Sequence, residues 1–309
     1  MPDGPDGAEL IKRFAGNPIL RPESFPHGAS AVFNPGATVV GGRTLLLVRV
    51  EDRTGHSSFA VATSHDGLTD WQIDPARGLR PQRDTFAEHG GIEDPRITQI
   101  GDEYLVAYTG LSAEGPLVCL AKTKDFATWE RLGVAMRPDD KDAALFGVKF
   151  GDRWAMLHRP AMSRGSHIWV SFSPDLTHWG DARLVLTARR GGWWDNSKIG
   201  LGPPPLLTKD GWLLCYHGVR ITAGGAIYRA GLALLDRDDP AKVLARADEW
   251  VLGPEEPYER HGDVGQVVFP CGWILRDDDD TLHIYYGSAD TVVGVAETSL
   301  TALLSYLAS

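Results

Sequence analysis

One pattern recurs five times along the chain: a turn, a short apolar strand, then a polar or small residue at the strand's end. The copies are Arg43-Thr-Leu-Leu-Leu-Val-Arg49, Glu103-Tyr-Leu-Val-Ala-Tyr-Thr109, Arg153-Trp-Ala-Met-Leu-His-Arg159, Gly211-Trp-Leu-Leu-Cys-Tyr-His217 and Thr281-Leu-His-Ile-Tyr-Tyr-Gly287. Each follows a turn signal: Gly41-Gly42, Gly101-Asp102, Gly151-Asp152, Lys209-Asp210 or the acidic run Asp277–Asp280. Successive copies start 60, 50, 58 and 70 residues apart. Regular self-similarity at this spacing is the mark of a fold built from stacked units.

A second strand follows three of the copies and ends in a related turn: Ser64-His-Asp-Gly-Leu-Thr-Asp-Trp71, Thr123-Lys-Asp-Phe-Ala-Thr-Trp129 or Ser173-Pro-Asp-Leu-Thr-His-Trp179. A hydroxyl or Asp side chain bonds its own backbone in such a turn, and the Trp packs over the hairpin. The fourth copy is followed by the strand Ala230–Leu235 and the turn Asp236–Pro240, without the Trp, and the fifth by Thr291–Glu297. Strand pairs punctuated this often indicate an all-β fold. Five units of 50–70 residues predict a five-bladed β-propeller around an axial channel. Only Leu300–Leu307 reads as helical, giving a short C-terminal helical segment. No linker or composition shift divides the chain, so residues 1–309 are expected to form one domain. Two stacked sandwiches are the architectural alternative.

The repeat selects residues as well as a fold. Its last positions, Arg49, Thr109, Arg159, His217 and Gly287, are equivalent and so surround one axis. Arg49, Arg159 and His217 then bring basic groups to one channel mouth; alternatively each is a solvated strand end paired with a nearby Asp. The chain has 31 Lys+Arg against 41 Asp+Glu, a net charge of −10. That disfavours nucleic acid as a partner and means that any anion site is built locally against the overall field. No apolar run reaches the length of a membrane span. Met1–Leu10 is polar and acidic, without the features of a signal peptide, so a cytoplasmic location is expected. Cys119, Cys215 and Cys271 lie in apolar stretches and read as buried thiols in a reducing compartment. No metal is expected: His27, His56, His65 and His89 lack ligand spacing.

Several stretches carry chemistry. In Gly90-Gly-Ile-Glu-Asp-Pro-Arg96 the glycines permit close approach by a ligand, Pro95 is expected to hold Asp94 extended, and Arg96 to pair with a carboxylate. A turn or a structural salt bridge would use the same residues. Arg49-Val-Glu-Asp-Arg53 brings Asp52 beside Arg49, as a grip on a polyhydroxylated ligand or as a surface ion-pair ladder. Lys141-Asp142 precedes the third copy. Trp193-Trp194-Asp195-Asn-Ser-Lys198 precedes the fourth, where indole faces with Asp195 and Lys198 suit a sugar, or pack a blade core. Asp290 follows the last strand end, as a ligand-binding carboxylate or an Asx turn. No GxSxG elbow, P-loop, HExxH or dinucleotide fingerprint is present.

From Asn17-Pro-Ile-Leu20 to Asp290 the chain resembles glycoside hydrolase family 130, the β-mannoside phosphorylases and related β-mannosidases. The matching motifs include Asn34-Pro-Gly-Ala37, Arg49-Val-Glu-Asp-Arg53, Glu93-Asp-Pro-Arg96, Lys141-Asp142, His158-Arg-Pro160, Asp195…Lys198-Ile-Gly200, Tyr216-His-Gly218, Tyr228 and Tyr285-Tyr-Gly…Asp290. Gly147 departs from the family pattern, which has Pro there. The resemblance implies a five-bladed propeller and an inverting phosphorylase that cleaves nonreducing-end β-mannosides with inorganic phosphate to give α-mannose 1-phosphate. It implies Asp94 as general acid, acting through the mannose 3-hydroxyl. Lys141, Arg159 and His217 would bind phosphate, and Asn34, Arg49, Lys198 and Asp290 the mannosyl unit, joined on the residue reading by Asp52, Trp193 and Asp195. Phosphate is a co-substrate and no cofactor is implied.

The chemistry agrees. An inverting hydrolase needs an acid and a base that activates water; a phosphorylase needs the acid alone, plus cations that aim an anion already nucleophilic. Arg159 can offer a rigid fork, Lys141 a compact charge, and His217 a donor that titrates near pH 6.5. Two alternatives stand beside this. One is a hydrolase of the same fold, with Asp195, Glu51 or Asp290 as base. The other is a sugar-binding propeller without catalysis. Five-bladed furanosidases are disfavoured because their first-blade Asp would fall near Asn34-Pro35. The linkage, β-1,4 or β-1,2, and the acceptor sugar stay open, and exposed blade edges are compatible with a homo-oligomer.

Overall fold

The computed structural model describes residues 9–26, 28–74, 76–161, 165–276 and 278–309. Residues 1–8 of the polar N-terminus, His27 and Asp277 of the acidic turn lie outside the described residues. Five antiparallel sheets are arranged as a β-propeller, one sheet per repeat. Blade I comprises Ala31–Val40, Arg43–Glu51, Ser57–Ser64 and Gln72–Asp74. Blade II comprises Ile92–Ile100, Glu103–Ser112, Gly115–Thr123 and Glu130–Met136. Blade III comprises Asp140–Phe150, Arg153–Pro160, Ile168–Ser173 and Gly180–Leu186. Blade IV opens with the short strands Lys198–Leu201 and Leu206–Thr208, both paired to Gly211–Thr222, and continues through Gly225–Leu235 to Val243–Arg246. Blade V comprises Val268–Leu275, Thr281–Ser288 and Val292–Ser299. Every repeat copy read from the sequence is the second strand of its blade.

Those second strands are continuous apolar runs because a blade is covered on both faces. Successive side chains point to opposite faces. Leu45 and Leu47 therefore pack toward blade II with Val106 and Tyr108, while Leu46 and Val48 pack toward blade V with Tyr285 and Ile274. Leu105 and Ala107 face blade III, beside Leu145 and Met156. Truncating one such leucine to alanine costs about 2–5 kcal/mol. The three cysteines are free and buried. The hairpin turns bond as expected: the Ser64 hydroxyl accepts from the Gly67 amide at 3.1 Å, and the Trp71 indole donates to the Leu68 carbonyl at 3.2 Å.

The ring is closed by a strand that the sequence reading did not find. Lys12–Arg13 pairs with Val292–Ser299 as the outermost strand of blade V, Lys12 opposite Glu297 and Arg13 opposite Ala296. Arg13 is pinned there by Glu259, a fully buried carboxylate that also accepts from the Tyr286 hydroxyl. Glu259 lies in a one-turn helix, Pro257–Arg260, that was not expected either. The C-terminal helix is Leu300–Ala308, capped by the Ser299 hydroxyl, which accepts from the Ala302 amide. Among the described residues no helix is long and apolar enough to cross a membrane.

Candidate active site

The first strands of blades I, II and III pack around the axis, and each is broken by a bulge at the same place. The register slips between Phe33 and Gly36, between Glu93 and Arg96, and between Lys141 and Ala144. The bulged residues are Asn34, Asp94 and Asp142, with φ of 46°, 53° and 54°. A bulge re-aims one side chain out of the pleat, and Asn and Asp are the side chains that best tolerate left-handed backbone. The expectation that Pro95 holds Asp94 extended is therefore corrected: the bulge requires positive φ at this residue and prevails over the preference set by the following proline. Asn34, Asp94 and Asp142 are one structural position repeated three times.

These bulges open into a cavity of about 440 Å³ at the axis. Asn34, Arg49, Asp94, Lys141, Arg159, Lys198, His217 and Asp290 all line it, so eight of the sequence-selected residues are brought together. On one side Asp94 is buried, and its Oδ1 accepts from Asn34 Nδ2 at 2.8 Å and from Arg49 Nη1 at 3.1 Å. Arg49 also donates to Glu93 Oε1 at 2.8 Å, and its guanidinium lies 4.3 Å over the Phe33 ring. Glu93 reaches Lys141 Nζ through its other oxygen at 3.4 Å. Burial pushes the Asp94 carboxyl up, but Arg49, Lys141, Arg96 and the Asn34 hydrogen bond outweigh it and hold it below the usual carboxylate range. Asp290 goes the other way. Burial and the negative charge of Asp94 push it up to about 7, beyond what Arg49 and Lys141 recover.

On the other side Arg159 grips Asp142 Oδ2 with Nε at 3.0 Å and Nη2 at 2.7 Å. His217 Nε2 is 3.5 Å from the same oxygen, and Arg96 is 3.6 Å from Oδ1. Arg96 is buried and is also a strut, donating to the Asp94, Leu201 and Gly202 carbonyls across blades II and IV. Two details differ from expectation. The Nε–Nη2 edge of Arg159 is taken by Asp142, so that edge is not a free fork. His217 does not titrate near 6.5: burial lowers it to about 3 against the pull of Asp142, so its ring is neutral at neutral pH. The positive charge of this half comes from Arg96, Lys141, Arg159 and Lys198.

Three selected residues lie elsewhere. Asp52 turns back into its own loop, where Oδ1 accepts from the Thr54 amide at 2.7 Å and the His56 amide at 3.1 Å. Asp195 is fully buried beneath blade IV, held by Arg246 Nη2 at 2.7 Å and the Tyr216 hydroxyl at 3.0 Å. Trp193 lies on the outside, with Arg189 4.4 Å over its ring. The sequence reading missed Glu93, which links Arg49 to Lys141, and gave no role to Asp142 or to Tyr228, whose ring carries Lys198 at 5.2 Å. The available signal for Asp142 was its alignment with Asn34 and Asp94, each directly after the last ladder residue before the bulge.

The sequence model of the family described as beta-1,4-mannooligosaccharide phosphorylase matches residues 8–309. A 1,2-beta-oligomannan phosphorylase from Thermoanaerobacter sp. is 38% identical over 93% of this chain and 96% of its own length. A beta-1,4-mannooligosaccharide phosphorylase from Ruminococcus albus is 32% identical over 98% and 92%. Among solved structures, the beta-1,2-mannobiose phosphorylase of Listeria innocua in complex with beta-1,2-mannobiose superposes with a TM-score of 0.88 at 32% identity, covering 96% of this chain and 99% of that one.

Proposed function

The chain belongs to glycoside hydrolase family 130, and from that premise we propose that it cleaves nonreducing-end β-mannosides with inorganic phosphate, inverting the anomeric centre to give α-mannose 1-phosphate. The observation that carries this reading is the convergence of Lys141 and Arg159 on the cavity that holds Asp94. A phosphorolytic site must desolvate and aim an anion, and it needs only one carboxylic acid. Five basic side chains, Arg49, Arg96, Lys141, Arg159 and Lys198, meet five acidic ones, Glu93, Asp94, Asp139, Asp142 and Asp290, in or against this cavity. In a chain of net charge −10 even this local balance concentrates cations relative to the rest of the molecule, which favours a phosphate.

In this mechanism the end of the Arg159 guanidinium and the Lys141 ammonium hold phosphate below the anomeric carbon, and the neutral His217 ring donates one hydrogen bond. Asn34, Arg49, Lys198 and Asp290 orient the mannosyl unit. Asp94 protonates the leaving oxygen through the sugar's 3-hydroxyl. Arg49 and Lys141 hold the Asp94 carboxyl below its usual range. Phosphate beside Lys141 offsets part of that pull and shifts Asp94 toward the protonated form that an acid needs. No cofactor takes part. The buried free thiols favour a cytoplasmic setting.

We assign β-1,2-linked oligomannoside as the substrate. The curated relative at 38% identity carries that linkage in its name, as does the solved structure at TM-score 0.88, whereas the relative named for β-1,4 is 32% identical. The test is product analysis on β-1,2- and β-1,4-mannobiose with and without phosphate, followed by reverse synthesis from α-mannose 1-phosphate. Mannose 1-phosphate formed only with phosphate, and from the β-1,2 dimer, is the expected result. Equal release of free mannose in phosphate-free buffer would overturn it in favour of hydrolysis. Of the three carboxylates considered as hydrolytic base, only Asp290 lines the cavity.

A further inference from the structure

The exposed tryptophan left over by the catalytic cavity belongs to a second cavity, on the outer side of blade IV. Its volume is about 390 Å³, and Trp193, Trp250, Arg220, Arg229 and Glu249 line it. Trp193 is 39% exposed, an unusual state for the side chain with the most apolar surface to hide. Its ring is nevertheless fixed. Arg189 lies 4.4 Å over one face, and Arg189 is itself tied to the Ala247 carbonyl at 2.8 Å and to Asp248 Oδ1 at 3.1 Å. With one face backed by a held guanidinium, the exposed area falls on the other face and the edge. Trp250 is braced in the same way, by Arg229 at 4.4 Å and edge-on by Trp194 at 6.4 Å. Rigid indoles flanked by guanidinium and carboxylate groups suit a pyranose ring: C–H faces stack on the indole and hydroxyls bond the charged groups.

The placement beside the catalytic cavity follows from strand register. Val219 pairs with Tyr228, Arg220 with Ile227, and Gly218 with Arg229 in the hairpin of Gly211–Thr222 and Gly225–Leu235. Side chains alternate between faces. Tyr228 therefore faces the catalytic cavity, while Arg220 and Arg229 face the second one; one hairpin is the wall between the two.

We propose that the Trp193–Trp250 cavity is a second carbohydrate site, which holds an inner unit of a long β-mannoside beside the catalytic mouth. The site rests on the proposed reaction only for the identity of the sugar. Asp94→Asn protein is titrated with β-1,2- and β-1,4-linked mannohexaose, following tryptophan fluorescence, alone and in combination with Trp193→Ala or Arg220→Ala. Both side chains are exposed, so these variants keep the fold. Binding is expected to weaken about tenfold in each. In the otherwise native enzyme the same variants should raise KM for mannohexaose and leave KM for mannobiose unchanged. Hexaose affinity unaffected by Trp193→Ala overturns the site, as does an equal rise in KM for dimer and hexamer. Loss of a dimer in sedimentation with unchanged hexaose binding also overturns it, and assigns the surface to a second copy. If Trp193-dependent binding persists where no mannoside is phosphorolysed, the site stands and the reaction is wrong. Normal mannobiose phosphorolysis without Trp193-dependent binding means the reverse.

Discussion

Asp94 and Asp142 occupy the same bulge in neighbouring blades, at φ of 53° and 54°, and their circumstances differ. The difference begins on the second strand. The residue paired just before the bulge is Thr109 in blade II and Arg159 in blade III. Asp142 thus finds a guanidinium in its own blade, is gripped by it twice, and is held far below the usual carboxylate range against the cost of burial. At Asp94 the facing strand offers only a threonine, and the arginine of its own blade, Arg96, acts on it through charge alone while donating to its backbone carbonyl. Its two stronger cations come from blade I, through Arg49, and blade III, through Lys141, and both side chains also line the cavity where a ligand can draw on them. One backbone device therefore yields a gripped carboxylate where the facing strand supplies an arginine, and a carboxylate held by cavity-lining cations where it supplies a threonine.

The sharpest way to break this comparison is to remove each carboxylate's charge. Asp94→Asn should lower turnover of mannobiose about 10³-fold with little change in KM for phosphate, because the loss falls on proton transfer. Aryl β-mannosides, whose leaving groups need less protonation, should retain more activity than mannobiose. Asp142→Asn should instead raise KM for phosphate, since Arg159 then loses its anchor. Initial rates with phosphate and mannobiose varied independently separate the two outcomes. Equal effects of both variants on kcat would remove the distinction between the bulges.

Arg159→Ala comes next in size. It leaves Asp142 ionised and buried without its main partner, which costs about 3–5 kcal/mol of stability, and it removes one of the two cations assigned to phosphate. The phosphate term, kcat/KM, should fall about 10²-fold, with KM for mannobiose unchanged within a few-fold. Measuring that term with thermal unfolding of the same protein tests both halves of the claim. Arg159→Lys should keep part of the stability but not the two-point grip.

The propeller and its blade count were legible because each second strand is an apolar run behind a glycine or aspartate turn, and both signals are local. Arg49, Arg159 and His217 were legible for the same reason, as matched ends of those strands. Where a residue's placement depends on a distant partner, the sequence was silent or misleading. The closing strand Lys12–Arg13 is two residues long and is held by Glu259, 246 positions away from Arg13. Asp195 belongs to Arg246, 51 positions on, rather than to the cavity. Asp52 reads as a ligand group or an ion-pair partner because Arg49 is near in sequence, yet its carboxylate satisfies amides of its own loop. Asp94, Lys141, Lys198 and Asp290 stand out in the sequence as charged stretches with more than one reading, and their roles, like Asn34 itself, came through resemblance, since nothing local announces a bulge that slips the register between two strands.

A smaller and more selective pair of changes uses two close approaches of glycine. A Cβ on Gly200 would lie 2.4 Å from Asp142 Oδ2 and 2.5 Å from His217 Cε1. A Cβ on Gly287 would lie 1.9 Å from Asn34 Oδ1. Gly200→Ala should therefore displace the blade III–IV side and raise KM for phosphate about tenfold, while Gly287→Ala displaces Asn34 and raises KM for mannobiose by a similar factor. Crossed effects, with each variant impairing the other substrate, would mean that the two halves of the cavity move as one.

The smallest effect probes Asp290, the cavity carboxyl that burial and Asp94 push up. Its folded pKa is raised to about 7 by burial and by Asp94, above the ordinary value of about 3.9 for an unfolded chain. Between those two values the folded state binds a proton that the unfolded state has released, so stability falls as pH rises through this window. Asp290→Asn removes the ionisation and with it that loss. The variant should melt a few degrees above the parent at pH 8 and level with it at pH 4, the partial exposure of this side chain keeping the gain modest. Asp94→Asn removes one source of the rise, and in that background the benefit of Asp290→Asn at pH 8 should shrink. A benefit of undiminished size would show that the two carboxylates do not sense each other, and that burial alone sets Asp290 apart.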